Sequence, residues 1–269
     1  MTAAHAWRCL LGILTREALR FVHQRERFVA ALVRPLVWLL IFAAGFRSIF
    51  GVSIIPPYET YIPYETYIAP GLVAMIQLFN GMQSSLSMVY DREMGSMRTL
   101  LVSPLPRWYL LVCKLSAGTF VSILQVYAFL AVAALFGISL PAFGYLAVLP
   151  ALIVCGFMLG AFAMLLSSLI RQLENFAGIM NFVIFPMFFL SSALYPLWKL
   201  KESSLLLFRL SAVNPFTQAV ELIRFALYER FNGEAALYTL GALALFLGAA
   251  IYAYDPARGM MGRRGGSGG

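Results

Sequence analysis

Apolar residues in this chain arrive in blocks of about 20, the length a helix needs to cross roughly 30 Å of hydrocarbon. Six blocks are read, at 35–54, 67–89, 115–136, 145–166, 176–194 and 235–254. The pattern predicts an all-α polytopic membrane protein with six transmembrane helices. Pro186 inside the fifth block lacks an amide donor, so a kink is expected there. Ahead of the first block, residues 1–34 place Arg8, Arg16, Arg20, Arg25, Arg27 and Arg34 among Trp7, Leu11, Leu14, Phe21 and Phe28. That mixture suits an amphipathic helix lying in the cytoplasmic interface. No cleaved leader is expected, because this charged stretch precedes the first apolar block.

The stretch 195–232 breaks the simple pattern. It is apolar enough over 205–227 to cross, yet it holds Arg209, Glu221 and Arg224 together with Asn214, Pro215 and Gln218. At about 2.5–3.5 kcal/mol per charge at mid-membrane, a lipid-exposed span is disfavoured. Asn214 as cap, Pro215 as first helical residue, and Phe216, Val220, Ile223 and Leu227 on one face suggest a half-inserted helix instead. A re-entrant helical pair on the outer side is the expectation.

Between blocks two and three stands Asp91-Arg92-Glu93-Met94-Gly95-Ser96-Met97-Arg98-Thr99-Leu100-Leu101-Val102-Ser103-Pro104-Leu105-Pro106-Arg107, too polar to stay in lipid. Asp91 can cap a helix whose polar stripe (Arg92, Ser96, Thr99, Ser103) and apolar stripe (Met94, Met97, Leu101) both follow helical spacing, with Pro104 and Pro106 ending it. A helix of this kind lies along the membrane surface. It either serves as an ordinary interfacial turn or faces a soluble partner and transmits that partner's motion, with Arg92 and Glu93 offering charge-assisted contacts. A second interior turn follows at Arg171-Gln172-Leu173-Glu174-Asn175, where Glu174 suits coupling or helix capping and no chain of buried acids makes it a proton relay.

Composition narrows the function. The chain has 269 residues, 61% hydrophobic and 12% charged, with mean hydropathy +0.81. A net charge of +8 is accounted for by the positive-inside bias, and no basic patch with base-stacking aromatics argues for nucleic acid. With both termini inside, fourteen of the twenty Lys and Arg residues lie in interior segments. Five of the other six fall in the long final loop, where the charge rule is weaker. Cys9, Cys113 and Cys155 have no disulfide or zinc spacing, His5 and His23 have no ligand-like partner, and no metal site is expected. No catalytic set assembles on a shared face, so the chain is read as non-enzymatic by itself. No Gly-x-x-x-x-Gly-Lys-Ser/Thr phosphate loop is present, and any ATP-driven engine would be another polypeptide.

Polar residues within the blocks are Gln77, Asn80 and Gln83 on the second, Gln125 on the third and Asn181 on the fifth. Uncharged amides at such positions either line a path or glue helices together, the commoner role. Gly156 and Gly160 form a small-xxx-small pair fit for packing within the chain or for dimerisation. Pro57-Tyr58-Glu59-Thr60-Tyr61-Ile62 is repeated at once as Pro63-Tyr64-Glu65-Thr66-Tyr67-Ile68, which reads as a tolerated insertion in an exterior loop with interfacial tyrosines.

The 91–107 segment, Tyr67-Ile68-Ala69-Pro70-Gly71-Leu72 opening the second span and Asn214-Pro215-Phe216 after the fifth resemble the permease subunit of type-2 ABC exporters, the group containing daunorubicin-resistance and nodulation-factor export permeases. The resemblance covers nearly the whole chain, and the duplicated loop departs from it. It implies an interfacial helix over 1–34, a six-span type-2 ABC transmembrane domain over 35–254 and a cytoplasmic, disordered tail over 255–269. Asp91, Arg92, Glu93, Gly95, Ser96, Leu100, Ser103 and Pro104, with Arg171 and Glu174, would dock an ABC ATPase subunit. ATP and Mg would sit on that subunit, with no cofactor on this chain. A homodimer or paired permease in the inner membrane, with both termini cytoplasmic, completes the expectation. An ion-coupled secondary transporter and a non-transporting scaffold are the other readings; the first would need buried titratable groups or broken helices in related halves.

Overall fold

A computed structural model describes residues 3–23, 32–41, 56–59, 62–93, 106–138, 140–170 and 173–253. Among the described residues it is all-helical. The helices are α1 (Ala3–His23), α2 (Leu32–Ile41), α3 (Tyr64–Glu93), α4 (Arg107–Leu135), α5 (Gly144–Leu169), α6 (Leu173–Phe189), α7 (Leu197–Ser203), α8 (Leu205–Val213), α9 (Pro215–Leu227) and α10 (Gly233–Ala253).

α5 is the axis of the bundle, packed against α3, α4, α9 and α10. It is apolar all round, and a helix with no polar face belongs in the interior. Its apolar window is 61% buried, against 17% for α10, which leaves α10 on the periphery. Small residues let the helices approach closely. A Cβ on Gly81 of α3 would lie 3.1 Å from Gly160 Cα of α5, and one on Gly156 would lie 2.7 Å from Thr119 Cγ2 of α4. The Gly156/Gly160 pair is therefore used for packing within the chain. α1 lies along α4, with Cys9, Leu10, Ile13 and Leu14 half-buried as one stripe and Trp7, Arg8, Leu11 and Arg16 exposed.

Among the described residues, three helices are long and apolar enough to cross a membrane, at Trp108–Leu135, Gly144–Leu169 and Gly233–Ala253. α3, with 30 residues, has the length, about 45 Å, but its amides lower its apolarity. The apolar helices Leu32–Ile41 and Gly178–Phe189 are shorter, and 42–55 of the first block, Arg47 included, lies outside the described residues.

Several boundaries differ from those expected. α3 continues through Asp91 to Glu93, so Asp91 lies within a helix rather than capping a new one, and α4 begins at Arg107, ahead of 115. The segment 94–105, with Gly95, Ser96, Leu100, Ser103 and Pro104, lies outside the described residues, as does Arg171. α6 continues past Pro186 but ends at Phe189, short of 194. Its last carbonyls have other partners: Asn214 Nδ2 donates to Met187 O at 2.8 Å and Leu190 O at 2.6 Å, and Ser191 Oγ donates to Phe188 O at 2.6 Å. In place of a span, 195–232 forms three short helices. The longest, α9, has 13 residues, about 20 Å, and buries Phe216, Val220, Ile223 and Leu227 as its spacing predicts.

Candidate functional site

The polar residues of the spans divide between two neighbouring places. Gln77, buried, donates from Nε2 to the carbonyl of Leu152 on α5 at 2.7 Å. Gly156 makes room for it, since a Cβ there would stand 3.2 Å from that Nε2. Gln77 thus acts as an interhelical tie.

One turn further along α3, Asn80, Gln83 and Gln125 line a cleft of about 180 Å³, together with Arg34 and Pro35 of α2 and Met180 of α6. Asn80 Nδ2 donates to Gln125 Oε1, joining α3 to α4. Gln83 is exposed to the cleft. Arg34, also exposed, sets its guanidinium 4.1 Å from the centroid of the Phe79 ring, a cation-π contact. Asn181 is exposed on α6 and does not line the cleft; its neighbour Met180 does. The expected path-lining amides therefore play two roles, with Gln77 tying helices and Gln83 facing open space. Assigning Arg34 to the interfacial segment hides its membership of this cleft. The signal that finds it is its placement one residue before Pro35, at the head of the first apolar block.

A second polar centre closes the other end of α3. Arg224 of α9 is 2% exposed. It pairs through Nη1 with Glu221, donates through Nη2 to Ser192 O at 2.7 Å and lies 4.3 Å from the centroid of the Tyr67 ring. The Tyr67 hydroxyl donates to the same Ser192 carbonyl at 3.0 Å, and the Tyr64 hydroxyl donates to Leu194 O at 2.6 Å. Tyr58 packs edge-on against Tyr228 at 4.8 Å between centroids and lies 6.2 Å from Tyr67. Burial raises the Tyr58 hydroxyl well above the ordinary tyrosine range, against the lowering field of Arg224. Burial likewise pushes Tyr228 up to about 12, with Arg224 again pulling it down.

This corrects the reading of the repeat as a tolerated loop with interfacial tyrosines. Tyr58, Tyr64 and Tyr67 are buried: the Tyr64 and Tyr67 hydroxyls meet carbonyls of the turn after α6 and the Tyr67 ring faces the Arg224 cation, whereas Tyr58 is held by ring packing and its hydroxyl has no hydrogen-bond partner among the described residues. The first copy is a turn over its described residues, whereas the second opens α3.

The described residues that flank the segments expected to couple to a partner share one end of the bundle. Near the end of α3, Val89 packs with Ile170, the residue before Arg171. Met88 packs with Leu111 and Leu115 of α4, Ala161 and Met164 of α5 and Ala250 of α10. Glu174 lies near the start of α6.

A helical bundle with an all-apolar central helix, and with three helices among the described residues long and apolar enough to cross a bilayer, defines a polytopic membrane protein. The chain belongs to the ABC-2 type transporter family, whose model it matches over residues 9–228. It is 28% identical over 243 residues to the putative transport permease ycf38 of Cyanophora paradoxa, covering 86% of this chain and 79% of that protein. It is 28% identical over 207 residues to nodulation protein J of Sinorhizobium fredii, covering 76% and 75%. It is also 29% identical over 170 residues to the probable multidrug ABC transporter permease YbhR of Escherichia coli K12, covering 62% of this chain and 45% of that protein.

Proposed function

We propose that this chain is the permease subunit of an ATP-driven exporter, with six spans over 35–254, an interfacial helix over 1–34 and a cytoplasmic tail over 255–269. Two copies form the path in the inner membrane with both termini inside, and ATP and Mg reside on two separate ABC ATPase subunits. Residues 195–232 form a re-entrant element on the outer side. Asp91, Arg92, Glu93, Gly95, Ser96, Leu100, Ser103 and Pro104, with Arg171 and Glu174, receive the motor's motion.

The observation that carries this reading is the contact of Val89 with Ile170. These two residues lie beside the two turns read here as cytoplasmic, which supports a push on either turn reaching α3. α3 is one continuous helix of 30 residues, with Pro70 inside it, that leads from Glu93 to the cleft and on to the Arg224 centre, and a packed helix transmits displacement.

The test is copurification with a phosphate-loop ATPase from the native membrane, compared between wild type and the charge reversals Glu93→Lys and Arg92→Glu. The reading predicts loss of the ATPase while membrane insertion stays intact. Unchanged copurification in both variants contradicts the coupling assignment, and transport by the purified chain with no nucleotide-hydrolysing companion contradicts the function.

A further inference from the structure

Arg34 stands where the interfacial segment meets the first span, and its guanidinium reaches the middle of α3 with no counter-charge among the described residues. Phe79, under its guanidinium, is the sixteenth of the 30 residues of α3, about 22 Å from either end of that helix. Among the described residues no carboxylate pairs with Arg34. Charges at membrane depth are rare, face cavities and mark ligand or ion sites, because an unpaired one is costly to hold there. Among the described residues, the lining of the cleft that Arg34 faces holds no acidic side chain, and Gln83 adds an amide able to donate. The remaining wall is apolar, with Phe79 and Met180 flanking the polar floor. On α2, Val33 and Val37 are exposed.

We propose that this cleft binds an anionic amphiphile drawn from the bilayer. Its phosphate or carboxylate head pairs with Arg34 and accepts from Gln83, and its first methylenes lie against Phe79 and Met180. The charge of the lining selects anions over cations, and a guanidinium suits a planar or tetrahedral oxyanion through paired N–H donors. The apolar walls select an amphiphile over a free anion. A volume of about 180 Å³ takes a head group and a few methylenes, leaving the rest of the chain along the open side. The inference rests on the reading that this face lines the path, but ligand binding is measurable on the permease alone.

The experiment titrates the purified full chain, in neutral maltoside detergent, with dodecyl phosphate and follows binding by calorimetry. Saturable binding is expected, weakened about tenfold or more in Arg34→Gln and only partly restored in Arg34→Lys, which keeps the charge but not the paired donors, since one charge-assisted hydrogen bond is worth about a factor of ten. Dodecyltrimethylammonium and inorganic phosphate should not displace the probe. Equal affinity in Arg34→Gln, displacement by the ammonium amphiphile, full displacement by inorganic phosphate, or no binding to monodisperse wild type would each overturn the proposal. So would efficient disulfide cross-linking of Gln83→Cys between two chains, which would show the cleft covered by a second copy. An Arg34→Gln chain that loses dodecyl phosphate but still copurifies with the ATPase supports the site alone. A wild-type chain that binds the probe yet recruits no ATPase also supports the site and counts against the exporter reading instead.

Discussion

Arg224 shows how one side chain joins distant segments: its guanidinium holds Glu221, the Ser192 carbonyl and the Tyr67 ring at once. Removing one partner of a buried pair leaves the other uncompensated, at about 3–5 kcal/mol. Arg224→Gln should therefore lower the thermal midpoint of the detergent-purified protein sharply. Arg224→Lys should rescue only part of the loss, because an ammonium cannot serve two directions and a ring face as a planar fork does. Both read out by thermal unfolding of monodisperse protein.

Glycines give a second residue-level contrast. A Cβ on Gly71 would sit 2.7 Å from Ala193 Cα, a backbone atom, whereas one on Gly160 meets only the end of the Leu115 side chain, at 2.9 Å. Overpacking against backbone costs about 1–3 kcal/mol, so Gly71→Ala should destabilise clearly. Gly160→Ala should cost less, since Leu115 can rotate. Equal shifts in melting temperature would contradict this account.

Among elements, the junction of α6 and α9 depends on one amide used in both directions. Asn214 Oδ1 accepts from Phe216 N at 2.9 Å, capping α9, while its Nδ2 donates to the final carbonyls of α6. Asn214→Asp keeps the capping oxygen, which in most proteins makes it an equal cap. Here it points a carboxylate oxygen at two carbonyls. Asn214→Asp should therefore melt at least as low as Asn214→Ala, in which the cap alone is worth about 0.5–2 kcal/mol. A stable Asp variant would mean that the donor half of the amide is dispensable.

For the whole molecule, the exposed apolar surfaces of α6 and α10 are comparable at their peaks, with Phe182 79% and Leu237 75% exposed. What separates them is the company they keep. Phe182 adjoins the exposed Asn181, on the helix whose Met180 borders the cleft, and a polar group facing outward from a span is better matched by protein than by lipid. If two copies form the path, a cysteine at Phe182 should cross-link between chains in native membranes, and one at Leu237 should remain monomeric. The opposite pattern would move the interface to α10.

Periodicity and composition suffice for the membrane class, the amphipathic N-terminal helix, the Asn214-Pro215 start of α9 and the burial of Phe216, Val220, Ile223 and Leu227. Those features are local: a cap needs one side chain and its own next turn, and an apolar block needs only length. The fate of the repeat was not local. Of two identical hexapeptides, the first forms a turn over its described residues and the second starts a helix, since the choice lay with Ser192, Leu194, Tyr228 and Arg224, residues more than a hundred positions away. Arg34 likewise reads as one more basic residue of an interfacial segment until α3 places Phe79 beneath it. Sequence decided which residues can live in a bilayer, because solvation acts on each side chain by itself. Only tertiary packing decided which polar groups met, because pairing depends on positions that chain order does not encode.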